Sequence, residues 1–159
     1  MTLHQHLVRV IQTLLLSGGA LALSAGPATG QRLDLSINPV NITFPPADPD
    51  TLPFVSSVPV DISYRVRQWN GPWTITLLAV GDLISGPATV DISNVTWMAT
   101  PAPPFQNGTM SKTVAQRLAS GSGDVNPTRR GQITFRLANS WNQTAGFYTQ
   151  TIVLTLTAP

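Results

Sequence analysis

The sequence predicts an all-β fold, an antiparallel Ig-like β-sandwich of about seven to eight strands. Apolar and polar residues alternate with a period of two through most of residues 31–159, as in strands that have one buried and one solvated face. Turn-forming residues interrupt this alternation about every 8–12 residues, which is the spacing of short strands in a sandwich. Helical periodicity is nearly absent, so we expect residues 31–159 to form one β-sandwich domain.

The first predicted strand contains six apolar residues that alternate with polar ones on either side of Pro39. They are Leu33, Leu35, Ile37, Val40, Ile42 and Phe44. A segment rich in Pro and Asp follows over residues 45–50 and resembles a hinge. A strand next to such a hinge can pair within its own domain, or it can fill the sheet edge of a neighbouring subunit by strand exchange. The sequence leaves both arrangements open.

The clearest strands lie between residues 58 and 80. Residues 58–67 alternate strictly, and residues 73–80 form a second apolar run beyond the turn residues Asn70, Gly71 and Pro72. We therefore predict a hairpin in which these two strands pair with each other.

The pattern continues beyond residue 90 with one irregularity. Residues 90–99 form an apolar run in which the alternation slips by one position at residues 93–94, and such a slip predicts a β-bulge. Residues 133–137 and 147–157 supply two more alternating segments, and residues 129–130 are interpreted as part of a loop.

The segment that precedes the predicted domain has the pattern of a secretory signal peptide. Residues 1–30 contain Arg9 but no acidic residue, then an apolar run, then small residues. Cleavage after Ser24 or after Gly30 satisfies the small-x-small rule, and the second site is favoured because the strand pattern begins just beyond it. The apolar run is shorter than the ~20 residues of a membrane span. We expect a secreted domain with no membrane span once the leader is removed.

The composition restricts the chemistry that the domain can perform. His4 and His6 are the only histidines and lie in the predicted leader, and the chain has no Cys and no Glu. Nucleophilic and metal-dependent catalysis thus lack their usual bases and ligands, and we expect no enzyme, no cofactor and no metal. Without Arg9 the eight basic residues exceed the seven acidic ones by one, which is too small a surplus to indicate nucleic-acid binding.

Two short motifs come nearest to a chemical site. Ser111 and Lys112 pair a nucleophile with a base, but neighbours on a strand point to opposite faces. Asp48 and Asp50 offer two carboxylates where a calcium site needs six or more oxygen ligands. Solvated surface is the favoured interpretation of both motifs.

The four tryptophans fall into two groups. Trp73 and Trp97 occupy apolar positions of predicted strands and are expected in the core, whereas Trp69 and Trp141 lie at strand ends beside asparagines. Exposed aromatic rings flanked by amides can stack on sugar rings, so Trp69 and Trp141 are candidate ligand-binding residues. Packing at the end of the sandwich is the alternative interpretation of both.

Three segments of the sequence resemble a group of exported bacterial domains. A Trp-containing strand after a glycine turn (71–77), a second Trp strand (92–97) and a closing strand of alternating Thr and apolar residues (145–159) are similar to WxL-type, spore-coat-U-like and pilin-like domains. The sequence departs from the WxL pattern at Thr74 and Ile75, which follow Trp73, and at residues 153–155, where a second Trp is expected. The resemblance implies a secreted surface domain without catalytic activity.

These observations predict a secreted, non-enzymatic structural or adhesive subunit of the cell surface. Charged residues make up only 10% of the chain, and low charge favours association with copies of itself or with other surface components. Exchange of the strand over residues 33–44 does not close on itself and would therefore build a filament. The alternative is a carbohydrate- or cell-wall-binding module that uses exposed tryptophans and takes glycans as ligands.

Overall fold

The computed structural model describes residues 3–6, 32–45, 47–143 and 146–159. Within these ranges the chain forms thirteen strands and one turn of 3₁₀ helix, Ile92–Asn94. The strands are β1 (Leu3–His6), β2 (Arg32–Asn38), β3 (Asn41–Phe44), β4 (Phe54–Ser56), β5 (Val60–Arg67), β6 (Pro72–Ala79), β7 (Leu83–Ser85), β8 (Ala88–Val90), β9 (Val95–Thr100), β10 (Gly108–Thr109), β11 (Gln116–Ser122), β12 (Val125–Ala138) and β13 (Ile152–Thr157).

The strands form two main antiparallel sheets of unequal size. The large sheet has the order β10-β9-β12-β5-β2, with β4 also paired to β12, and the small sheet has the order β11-β6-β13. Separate pairs join β7 to β8 and β1 to β3. The predicted all-β, antiparallel sandwich is confirmed, and the strand count exceeds the expected one because several strands have only two to four residues. The Ig-like assignment stays a prediction.

The two sheets bury one continuous apolar core. Inward positions alternate strictly along β5 and β6, and the Tyr64 and Trp73 rings meet across the core with their centroids 5.0 Å apart. Phe105 completes this cluster, with its ring edge-on to Tyr64 at 5.9 Å. Burial also raises the pKa of the Tyr64 hydroxyl, since a phenolate there would lose its hydration. The alternation seen in the sequence therefore marks the core face of these strands correctly.

The strands on either side of residues 68–71 do not form the predicted hairpin. β5 belongs to the large sheet and β6 to the small one, so the chain crosses from one layer to the other between them. Gln68 takes a left-handed backbone conformation, with φ of 57°, at this crossing. Both strands present an apolar row to the core, and an arch between sheets satisfies that requirement as well as a hairpin does.

The irregularity at residues 93–94 is not a β-bulge. Residues Ile92–Asn94 form the 3₁₀ turn, and the Asp91 carboxylate caps it by accepting a hydrogen bond of 2.8 Å from the Ser93 backbone N–H. β9 begins directly after this turn at Val95. A turn of three residues shifts the alternation just as an inserted bulge residue does.

The longest strand, β12, forms the spine of the large sheet. It pairs with β9 on one side and with β5 and then β4 on the other. The buried Ser57 lies at the break between β4 and β5. There the Phe135 N–H donates a hydrogen bond of 3.1 Å to Ser57 Oγ, and the Ser57 N–H donates one of 2.8 Å to the Phe135 carbonyl. A side-chain hydroxyl thus continues the hydrogen-bond ladder where the strand backbone bends away.

Two edge strands carry a glycine directly opposite a tryptophan. Gly108 of β10 faces Trp97 of β9, and Gly121 of β11 faces Trp73 of β6. In both pairs the indole ring occupies the space that a Cβ atom of the glycine would need. The rings therefore cover edge strands that have no side chain of their own at those positions.

Four residues of the predicted signal peptide are described. β1 runs antiparallel to β3, with Leu3 opposite Phe44 and His6 opposite Asn41. Residues 7–31, which include both predicted cleavage sites, lie outside the described part of the chain. No helix among the described residues is long and apolar enough to cross a membrane.

Candidate functional site

The candidate exchange segment is paired within its own chain. β2 lies at the edge of the large sheet, where all seven residues from Arg32 to Asn38 face β5. Of the six apolar candidates, Leu33, Leu35 and Ile37 are half-buried against the core, while Ile42 and Phe44 are buried. Val40 is 48% exposed in the link between β2 and β3. Five of the six candidate side chains thus contribute to the core of the molecule that carries them.

The exchange segment is held along one side only in the described part of the chain. β2 ends the large sheet beyond β5, and β3 pairs with β1 alone. In the opposite layer, β13 ends the small sheet beyond β6 and approaches β2. Among the described strands, β2 and β13 are therefore the outermost strands of the two sheets on this side of the sandwich.

The hinge that follows the segment is fixed at its far end. The side-chain amide of Asn139 donates to the carbonyls of Ala47 and Leu52, at 3.1 and 3.0 Å, and its backbone N–H donates to the Pro53 carbonyl at 2.8 Å. Inside the loop, the Leu52 N–H donates 2.8 Å to the Asp48 carbonyl. The loop is thus attached to the end of β12, and the exchange segment lies on its other side.

Each of the two acidic residues of this loop accepts a hydrogen bond from a nearby N–H group. Asp48 Oδ1 accepts a hydrogen bond of 2.9 Å from the backbone N–H of Asp50, and Asp50 Oδ1 accepts one of 2.9 Å from Trp141 Nε1. No group of three or more acidic, His or Cys side chains able to hold a metal occurs among the described residues. Both carboxylates act as local caps of the loop.

The two candidate ligand-binding tryptophans differ in their surroundings. Trp69 is partly buried against the core, and its ring packs on Gly71. Its Nε1 donates a hydrogen bond of 2.9 Å to the Pro72 carbonyl. Trp141 is 69% exposed, and its only described polar contact is the hydrogen bond to Asp50. The packing interpretation therefore applies to Trp69, while Trp141 presents an open ring.

These two tryptophans also lie at opposite ends of the sandwich. The Trp69 N–H donates 2.7 Å to Asp124, which precedes β12, whereas Trp141 follows the last residue of β12. Fourteen strand residues separate the two positions, a length of roughly 45 Å at about 3.3 Å per residue. The two rings cannot contact one short sugar chain together.

The Ser111–Lys112 motif is occupied by local contacts. Lys112 Nζ lies 2.6 Å from Asp82 Oδ2 and 3.6 Å from Asp91 Oδ2. The hydrogen bond to Asp82 raises the pKa of Lys112, and the same bond lowers the pKa of Asp82. Ser111 Oγ instead accepts from the backbone N–H groups of residues 113 and 114. A lysine held protonated in this way joins two loops and is poorly suited to act as a general base.

The structure also brings together a basic surface that the sequence indicates only in part. The outward positions of β2, β5 and β12 carry five arginines, and we call this surface the arginine face. Its members are Arg32, Arg65, Arg67, Arg130 and Arg136. The alternation of β5 places Arg65 and Arg67 on its polar side, but their neighbours come from strand pairings that the sequence does not contain. Residues 129–130, interpreted as a loop, are in fact part of β12.

No protein-family model matches this chain, and no curated protein matches its sequence. The functional interpretation therefore depends on the exchange segment at the sheet edge, on Trp141 and on the arginine face.

Proposed function

We propose that the protein is a secreted, non-enzymatic structural subunit of a cell-surface assembly, and that copies join by exchange of the segment over residues 33–44. One observation carries the proposal. This segment supplies five core side chains, yet strands hold it along one side only in the described part of the chain. A segment of this kind can leave its own molecule and make the same contacts in another.

The exchange we propose conserves the contacts that β2 and β3 make with residues 32–159, whereas the pairing of β3 with β1 is lost with the leader in every copy. β2 and β3 of one copy take the places that β2 and β3 of the next copy have vacated, so the buried faces of Ile42 and Phe44 are restored in the acceptor. The cost of exchange is then mainly the entropy of association, as in domain swapping. Each copy both gives and receives a segment, and the assembly grows as an open chain.

Secretion and surface location are parts of the same proposal. They are supported by the charge, apolar run and small residues of residues 1–30. The similarity to WxL-type, spore-coat-U-like and pilin-like domains agrees with this location. N-terminal sequencing of the exported protein tests it: a start at residue 25 or 31 supports cleavage, and a start at residue 1 contradicts it.

A cysteine pair tests the exchange directly, because the chain contains no cysteine of its own. Ser36 of β2 lies opposite Ser63 of β5, and the two Oγ atoms are 2.7 Å apart. The double variant Ser36→Cys/Ser63→Cys should form a disulfide across this strand pair. In an exchanged assembly the disulfide joins two copies, so a non-reducing gel shows a ladder of covalent multimers that collapses on reduction.

The two single variants, Ser36→Cys and Ser63→Cys, are the matched controls. Each can form at most a dimer through an exposed thiol, so neither should give a ladder. Oxidation of the double variant before it is concentrated should lock the segment in its own chain and prevent assembly. Monomer alone, with the disulfide formed at high protein concentration, would contradict the exchange.

The open ring of Trp141 supports a second candidate function, the binding of a glycan. Trp141 is exposed and is anchored at one edge by Asp50, which leaves its face free for stacking on a sugar. Titration with a glycan panel should change the tryptophan fluorescence of the parent but not of Trp141→Ala. No change across the panel, or an unaltered change in the variant, would remove this candidate.

A further inference from the structure

The charges of this chain are unevenly distributed. The arginine face combines five arginines with two aspartates, Asp34 and Asp61, a surplus of three positive charges. The other described residues from 32 to 159 carry three basic residues and five aspartates, a deficit of two. A net charge near zero over the domain therefore conceals one basic surface. Such a surface attracts anions even when the whole molecule is nearly neutral.

The arginine face contains two adjoining depressions. Both are lined by Ser36 and Ser63, and they have volumes of about 690 and 270 Å³. The larger is also lined by Arg32, Asp34, Arg65 and Thr128, and the smaller by Asn38, Asp61 and Arg130. They follow the direction of β2, whose seven residues span roughly 20 Å. The shape suits an extended chain that lies along the strands.

Most arginine charge on this face is not balanced within the protein. Asp34 lies 3.6 Å from both Arg32 and Arg67, a long contact for an ion pair in a solvated setting. Arg65 donates 2.7 Å to the neutral side chain of Asn126, and Arg130 has no acidic partner within 4.0 Å among the described residues. The positive charges of Arg65 and Arg130 therefore have no acidic partner within 4.0 Å among the described residues and can attract an external anion.

We propose that the arginine face binds an extended anionic polysaccharide. Guanidinium groups attract carboxylate and other oxyanion groups and hold them through N–H donors, and Arg65 and Arg130 supply one guanidinium to each depression. The serine hydroxyls and the Asn38 amide between them are suited to sugar hydroxyl groups. No aromatic ring lines either depression except Tyr64, whose side chain is buried. Base stacking, which single-stranded nucleic acids require, thus has no platform there.

The test measures binding of the full-length protein to polygalacturonate, with neutral dextran as the uncharged control polymer. We expect binding to polygalacturonate that weakens as salt is added, and no binding to dextran. The double variant Arg65→Gln/Arg130→Gln should bind roughly tenfold more weakly, because it loses two charge-assisted contacts. Asp34→Asn should bind more tightly, since it removes the negative charge that competes for Arg32 and Arg67.

Arg117→Gln is the matched control, because Arg117 is an exposed arginine of β11 in the other sheet. This substitution changes the net charge by the same amount as Arg130→Gln, but it should leave polygalacturonate binding unchanged. Arg130→Gln alone keeps the test valid if the double variant loses its fold by circular dichroism. An equal loss in Arg117→Gln and Arg130→Gln would overturn the proposal, as would binding of single-stranded DNA or of anionic phospholipid vesicles as tight as that of polygalacturonate. Absence of polygalacturonate binding would overturn it as well. The test uses monomeric protein and does not depend on the strand exchange.

Discussion

The buried hydroxyl of Ser57 should carry a measurable part of the stability of the large sheet. Ser57 is 7% exposed and accepts the Phe135 N–H at 3.1 Å, and its own hydroxyl donates 2.8 Å to the Val58 carbonyl. In Ser57→Ala the Phe135 N–H has no acceptor and water cannot easily reach it. A buried donor left without a partner costs about 1–3 kcal/mol. The carbonyl of Val58 adds little, because Val58 is exposed.

Urea unfolding followed by tryptophan fluorescence measures this effect. We expect the free energy of unfolding to fall by about 1–3 kcal/mol. The free energy of unfolding of a small protein decreases by about 1–3 kcal/mol per M of urea, so the urea concentration at half-unfolding should fall by roughly 1 M. The matched control is Ser36→Ala. The Ser36 hydroxyl contacts Ser63 on the solvated face, so its removal should change the free energy of unfolding by less than about 0.5 kcal/mol. Hydrogen exchange at the Phe135 amide should also become faster in Ser57→Ala. Equal midpoints and slopes for the two variants, with unchanged exchange at Phe135, would refute the role of the hydroxyl.

Three further predictions concern the other contacts described above. The hydrogen bond from Lys112 lowers the pKa of Asp82 below its ordinary value of 3.8. The ionised Asp82 carboxylate therefore stabilises the fold fully above that pH, and this stabilisation is lost as the pH falls through the lowered pKa. Asp82→Asn should therefore flatten the acid decline of Tm, and an unchanged decline contradicts this. Gly121→Val places a side chain where the Trp73 ring lies and should cost about 1–3 kcal/mol with a changed near-UV circular dichroism. A parent-like spectrum and stability would argue against that packing. Asn139→Ala removes two side-chain hydrogen bonds from the loop before β4. Limited proteolysis should therefore cut this loop faster than in the parent. Equal cleavage rates would show that these two hydrogen bonds do not hold the loop.

The sequence predicts the strands of this protein better than it predicts their partners. Residues 58–67 contain β5, and residues 73–80 cover all of β6 except Pro72, with the expected buried faces, but the two strands lie in different sheets. Period-two alternation reports which side of a strand is apolar, and that side faces the core both in a hairpin and in an arch between layers. Only the contacts across the core separate the two arrangements.

The functional candidates show the same limit. Trp69 and Trp141 have similar neighbours in the sequence, yet Trp69 packs on Gly71 and Trp141 is open, because burial depends on which chain segments fold over each ring. The arginine face shows the limit on a larger scale. Alternation places Arg65 and Arg67 on one side of β5, but it is the register of β5 with β12 that places Arg130 opposite Ser63, next to Arg65. That register joins residues more than sixty positions apart.

The glycine–tryptophan pairs at the sheet edges have a consequence for how this chain can evolve. Because the Trp97 ring occupies the space above Gly108, and the Trp73 ring that above Gly121, neither member of a pair can change freely while the other stays. A larger residue at the glycine requires a smaller one at the tryptophan, and loss of the ring uncovers the backbone of an edge strand. Among diverged descendants of this sequence, positions 97 and 108 should therefore substitute together, and so should positions 73 and 121, whereas the exposed Trp141 should vary independently of any glycine.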